Sequence, residues 1–311
     1  MVVRYDSRTA RIVGRILLRS EIFSIWFYRS KYVTRLRINN TKSLANDFGV
    51  SIVEKQGGAY VVLPFGRLYL DLSSAHDRIM YEEIATKGYY ETGTTLFSKK
   101  IIREGQSALD IGANNGYYSL LFSHLVGNTG KVYSFEPQEQ AFNRLLRNLD
   151  ENHIKNVFTY QLALGDSDGE LDLHISGIED GESSFVPIEI SSATKKVRVT
   201  TLDSFIGKIG ADIIKIDVEG WENSVIKGGR DFLSKNRPVI ILEYNLRLQI
   251  MAGFRPRDLL DLLTGIDYNI FEIKDDGTLS KKVNRTSDLS SPLVNLFCIP
   301  SEKDEFPALR K

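Results

Sequence analysis

The sequence predicts an α/β protein built on a mainly parallel sheet, and three observations carry that prediction. From residue 107 onward short apolar runs alternate with amphipathic stretches, the order that lays helices over both faces of a parallel sheet. The first run ends in a glycine turn, Asp110-Ile-Gly112-Ala-Asn114-Asn-Gly116, that leads into a helical stretch. The second ends in an acid, Glu136, followed by Pro137, whose fixed φ suits the first turn of a helix.

Taken in chain order, the elements begin with a basic segment. Arg4, Arg8, Arg11, Arg15 and Arg19 recur at three- and four-residue steps and share one helical face, beside an apolar stripe of Ile12, Ile16, Phe23 and Phe27. Residues 1–40 therefore suit peripheral contact with an anionic membrane or a partner, or packing on the main domain through Trp26-Phe27-Tyr28. Short β-rich runs at 50–53, 60–63 and 68–72, broken by Gly57-Gly58 and Pro64-Phe65-Gly66, predict a small antiparallel element. Residues 76–100 read as helical with a break at Tyr89-Tyr90-Glu91-Thr92-Gly93. Strands follow at 108–111, 131–135, 157–162, 213–216, 239–243, 269–273 and 296–299. Helices are expected between them, notably at 116–126, 139–152 and 256–263. A stretch at 166–200, rich in Asp, Gly and Ser, interrupts the alternation. The expected organisation is a basic helix and β-rich extension over 1–75, then one α/β domain over 76–311.

Bulk properties narrow the function. Lys+Arg and Asp+Glu each total 40, and a chain with no net charge is a poor general binder of nucleic acid. Cys298 is the single cysteine, so no internal disulfide and no Cys/His zinc cluster is expected. No stretch reaches the ~18 apolar residues of a membrane-spanning helix. The arginines near the start run through the segment rather than ahead of an apolar core, unlike an export signal. A cytoplasmic location is the expectation.

Three segments carry chemistry. In an open α/β sheet ligands bind beyond the carboxyl ends of the strands, where the glycine turn would lie. Its spacing is G-x-x-x-G, not the G-x-G-x-x-G of dinucleotide enzymes. Glu136, twenty-odd residues on, can accept hydrogen bonds from both hydroxyls of an adenosine ribose. The third segment, Lys215-Ile-Asp217-Val-Glu219-Gly220-Trp221-Glu222, crowds three acids at a strand end, with Lys215 as an internal counter-ion. Carboxylates so crowded raise one another's pKa, which suits a site that needs a base or a cation. His76, His124, His153 and His174 sit at no strand end, so surface or packing roles are expected for them.

Together these segments resemble the FkbM family of methyltransferases. The pattern is D-I-G-A-N-x-G-Y-Y at 110–118, F-E-P at 135–137, Leu202-Asp203, K-I-D-V-E-G-x-E at 215–222, and an acid at Glu243. The likeness covers about 90 to 245; its one departure is Asn115, where an aliphatic residue is more usual. It implies a Rossmann-like seven-stranded class I methyltransferase sheet with a reversed final strand at 295–299. S-adenosylmethionine is the implied cofactor, and a hydroxyl of a small-molecule or carbohydrate the implied acceptor. By the same resemblance Asp110, Gly112, Asn114 and Gly116 surround the methionyl part, Glu136 the ribose, and Ala163 the adenine. Glu91 closes over the cofactor. Asp217, Glu219 and Glu243 are the implied catalytic acids, acting as bases or by holding a divalent cation. Two rival readings are a nicotinamide-dependent oxidoreductase and a non-catalytic adenosine-binding or scaffold protein. The missing dinucleotide glycines weigh against the first, and the full set of acids against both.

Overall fold

Hydrophobic alternation along the central strands builds the molecule. In the computed structural model, which describes residues 50–303 except 56, 177–182, 186–190 and 206–209, an eight-stranded sheet runs through the centre. The basic segment at 1–40 lies outside the described residues. The sheet order is β14-β13-β15-β12-β11-β4-β5-β6. Its parallel core is β6 (Val157–Tyr160), β5 (Lys131–Phe135), β4 (Ser107–Ile111), β11 (Ile213–Ile216) and β12 (Val239–Asn245). The strand β15 (Leu293–Pro300) then inserts antiparallel between β12 and β13 (Tyr268–Ile273). This is the reversed final strand that the family resemblance implies.

Residues on alternate positions bury on opposite faces. Ala108, Ile213, Ile241 and Phe297 face one core, with Ile84, Phe97 and Leu121. Leu109, Ile214, Ile240 and Cys298 face the other, with Val225, Leu233 and Leu260. The first layer consists of α1 (Ala75–Lys87), α2 (Thr92–Ile101), α3 (Tyr117–Val126) and α4 (Glu139–Glu151), the last through Leu145 and Leu149. Onto it packs a three-stranded antiparallel sheet of β1 (Ser51–Lys55), β2 (Gly58–Leu63) and β3 (Gly66–Asp71), as the turn signals predict. Ala59, Leu68 and Leu70 share its core with Met80 and Tyr117. The opposite layer comes from α5 (Leu202–Phe205), α6 (Glu222–Gly228), α7 (Arg230–Asn236) and α9 (Asp258–Thr264), with α8 (Leu246–Met251) following β12.

Three features escape the sequence pattern. The eighth strand, β14 (Leu279–Lys282), is a short polar edge, so it corrects the expected seven strands without an apolar signal. Helices α6, α7 and α8 are six or seven residues long, too short for a helical period to show. The stretch at 166–200 is a second sheet of order β7-β10-β8-β9. In it β8 (Gly169–Ser176) and β10 (Ser191–Thr201) pair antiparallel, while β7 (Ala163–Gly165) runs parallel to β10 and β9 (Ser183–Ser184) lies outside β8. The predicted strand at 157–162 thus divides at Gln161, and its continuation joins the other sheet. Among the described residues no helix is long and apolar enough to cross a membrane.

Candidate active site

The site grows from the carboxyl ends of β4, β5, β11 and β12. After β4 the chain turns through Gly112 (φ 85°), Asn114 (φ 46°) and Gly116 (φ 91°), and α3 begins. The N–H groups of Gly112 and Ala113 both donate to the Phe135 carbonyl at 2.9 Å, tying the turn to the end of β5. A Cβ on Gly112 would lie 1.8 Å from the Asp217 carbonyl oxygen. The glycine is needed because the chain's own backbone passes there, a constraint that holds whatever the ligand.

Glu136 follows β5 and is buried, with 7% of its surface exposed. Its Oε2 accepts from the Asn114 N–H at 2.9 Å and its Oε1 from the Gln138 N–H at 2.8 Å. Burial nevertheless raises its pKa to about 7. Each oxygen keeps a lone pair for a further donor. On β4, Asp110 accepts from Ser119 Oγ through Oδ2 at 2.6 Å, while its other oxygen, Oδ1, is buried without a hydrogen bond. Burial lifts this carboxyl to about 6.

Beside Asp110 on β11 stands Lys215, its side chain 3% exposed and its Nζ 2.7 Å from Asp217. Its ammonium also lies 4.2 Å from the centre of the Tyr118 ring. Burial alone would lower the lysine pKa, but Asp217, Glu91 and Asp110 around it outweigh that and raise it. Past β11 the chain passes through Glu219 in the left-handed region (φ 50°) and Gly220 (φ 92°). Glu222, 1% exposed, latches this loop by accepting from the Gly220 N–H at 3.1 Å and from Gln249 Nε2. Burial and the neighbouring acids lift Glu219 to about 8 and push Glu243, at the end of β12, well above the usual range. Glu91, the residue before α2, accepts from Tyr118 Oη at 2.7 Å and is raised first by burial. Carboxylate oxygens of Glu91, Asp217 and Glu243 all lie within 4.8 Å of one another, close enough to share a proton or a cation.

These pieces wall one cleft of about 900 Å³, solvent at its mouth included. Of the predicted site residues, Gly112, Asn114, Glu136, Ala163, Asp217, Glu219 and Glu243 line it. Asp110, Gly116 and Glu91 are not among the lining residues, although Glu91, bonded by Tyr118, groups its carboxylate with those of Asp217 and Glu243. The sequence reading missed the wall opposite the strands. His76 and Met80 of α1 and Tyr90 before α2 reach the cleft, and Leu173 and Phe185 arrive from the second sheet. The packing role expected for His76 therefore leaves out its place on the cleft wall. The helical period of 76–100 marks a buried face without saying that the face looks onto a ligand site.

An adenosine cofactor with a cationic amino-acid tail fits this donor set. Two buried acceptors at the turn, Asp110 Oδ1 and Asn114 Oδ1, lack partners and suit an ammonium, and Glu136 keeps lone pairs for two hydroxyls.

A sequence model described as the methyltransferase FkbM domain matches residues 110–270, just over half of the chain. The chain belongs to the FkbM methyltransferase family. Among curated FkbM-like relatives, the hexuronic acid methyltransferase AglP of Haloferax volcanii is 28% identical over 155 residues, covering 50% of this chain and 60% of that protein. The 2-O-methyltransferase NoeI of Sinorhizobium fredii is 28% identical over 179 residues, 51% of this chain and 71% of that protein. The chain thus spans three-fifths of the first relative's length. The crystal structure of methyltransferase FkbM from Methylobacillus flagellatus aligns with 71% of this chain and 53% of its own, at 16% identity and a TM-score of 0.40.

Proposed function

We propose that the protein transfers the methyl group of S-adenosylmethionine to a hydroxyl oxygen of a carbohydrate or related small molecule. The observation that carries this reading is the union, in one cleft, of Glu136 tied to the glycine turn with the carboxylates Asp217, Glu219 and Glu243. When bound, the cofactor supplies an electrophilic methyl on a sulfonium. Asp110 and Asn114 offer acceptors to its amino group, Glu136 binds its ribose, and Ala163 lies beside its adenine. The crowded acids set a negative field that favours a cationic ligand. Asp217, Glu219 and Glu243 grip the acceptor's hydroxyls and align one of them, and alignment alone can supply about 7–11 kcal/mol of barrier reduction. The names of the two relatives, one acting on a hexuronic acid and one a 2-O-methyltransferase, support a sugar hydroxyl.

Calorimetry with S-adenosylmethionine, with NAD as the control ligand, tests the cofactor. Saturable binding of the former alone is expected. Glu136→Ala should weaken it roughly 10- to 100-fold, the loss of a charge-assisted hydrogen bond at about 1.5–3 kcal/mol. Preference for NAD would overturn the reading. The 4.8 Å grouping of Glu91, Asp217 and Glu243 favours a second arrangement, in which these acids hold a divalent cation. Transfer that EDTA abolishes and Mg²⁺ restores would select it; transfer indifferent to EDTA would leave Lys215 as the cation of the site.

A further inference from the structure

We propose that His76 is the catalytic base of this site, taking the acceptor's hydroxyl proton on Nε2 while Asp77 holds its ring. The proposal rests on the methyl-transfer reading and gives the proton a destination apart from the carboxylates that grip the acceptor. His76 lines the same cleft as Gly112, Glu136 and Glu243, and its side chain is 16% exposed. Its Nδ1 lies 3.4 Å from Asp77 Oδ1, so Nδ1 carries the hydrogen and Nε2 is the nitrogen with a lone pair to offer. Catalytic hydrogen bonds of this length are common before substrates arrive.

Asp77 is built as a fixed partner. It is fully buried, its Oδ2 accepts from the Asp71 N–H at 2.8 Å, and its Oδ1 accepts from Asn115 Nδ2 at 2.9 Å. Arg144 of α4 approaches it to 3.9 Å. Burial acts to raise its pKa, but His76 and Arg144 outweigh that and keep it below the usual carboxylate range. Ser74, the N-cap of α1, accepts from the Asp77 N–H and sets the first helical turn, and Asn115 secures Asp77 to the glycine turn. Asn115 is the position where the sequence departs from its family's usual aliphatic residue, and the departure supplies this bond. Tyr90 packs edge-on against the His76 ring, centroids 6.0 Å apart, and among the described residues is the other titratable group in ring contact with it. Across the cleft, Asp217 is already ion-paired with Lys215.

The step balances as follows. The acceptor oxygen forms its bond to the methyl carbon as the carbon–sulfur bond opens, its electron pair leaving with sulfur. The O–H proton passes to His76 Nε2, and the imidazolium beside Asp77 later yields it to water.

The test uses the full chain, labelled S-adenosylmethionine, and methyl glucuronoside and methyl glucoside as acceptor probes. His76→Gln should lower kcat at least 100-fold, with cofactor affinity by calorimetry and melting temperature both unchanged. Imidazole should restore transfer in His76→Ala, a rescue that a merely structural role would not give. Asp77→Asn, which tests positioning, should lower kcat with KM unchanged, while His174→Gln, outside the cleft lining, changes nothing. Full activity of His76→Gln would overturn the proposal while leaving methyl transfer intact. Loss of cofactor affinity in His76→Gln would overturn it too, making His76 a cofactor contact. A wild type that transfers to neither glycoside would fail the hydroxyl-acceptor reading and this proposal together.

Discussion

The glycine turn and the carboxylate cluster lie at the ends of adjacent strands, yet they are held in different ways. The turn, from Asp110 to Glu136, is contiguous in sequence, and its bonds run from backbone N–H groups to a carbonyl or a carboxylate. Its shape depends on glycines and asparagine in left-handed backbone more than on side-chain packing. The carboxylate side draws Glu91, Asp217, Glu219 and Glu243 from three separate segments, and adds Tyr90 beside Glu91 and His76 from a fourth. Its members are held by mutual electrostatics around one buried ammonium, Lys215. A site assembled by backbone tolerates changes of ligand chemistry but not of volume. One assembled by charge responds the opposite way.

Substitution at the charged side should separate the halves most sharply. Asp217→Asn keeps the shape but removes the ion pair with Lys215. Transfer should fall on the order of 10²–10³-fold while affinity for S-adenosylmethionine changes little, as kinetics and calorimetry on the same preparation would show. Equal loss of both would mean that the two halves act as one unit. On the turn side the sensitivity should be to volume. Gly112→Ala adds a Cβ where the Asp217 carbonyl already stands and places alanine at φ 85°. Strain and overpacking together predict a loss of roughly 2–5 kcal/mol in chemical unfolding. A loss near zero would show that the turn can move away from β11. The smallest expected effect concerns pH. Asp110 at about 6, and Glu136 and Glu222 at about 7, bind protons more tightly folded than unfolded. Their penalty is absent below about pH 4 and grows as pH rises to about 7, so the ligand-free melting temperature should fall by a few degrees between pH 5 and 8. Because a cationic ligand favours the ionised carboxyls, S-adenosylmethionine should raise the melting temperature more at pH 8 than at pH 5. A flat profile would mean that these acids are ionised in the empty site.

Much of this was legible in the residues. The strands β4, β5, β11 and β12 show as continuous apolar runs because both faces are buried. The acids at their carboxyl ends stand out because, within those runs, only Ser134 and Lys215 otherwise interrupt the apolar residues. Glu222 was legible as an acid but not as a latch, since its partner Gln249 lies in a helix too short to read. The second sheet was legible only as a polar interruption, because its strands alternate charged residues with few apolar ones. That Phe185 from this interruption reaches Trp221 and the cleft could not be inferred from spacing.

By itself the sequence determined the sheet, the turn, and which acids end which strands. These follow from periods of two and from backbone conformations that few residues adopt, both of them local properties. Only the tertiary structure decided that His76 of α1 joins the glycine turn in one cleft wall, that Asn115 reaches Asp77, and that Asp110 and Glu91 join Asp217 around Lys215. Such contacts join residues far apart in the chain. Their energies depend on distance and burial, which no local pattern records.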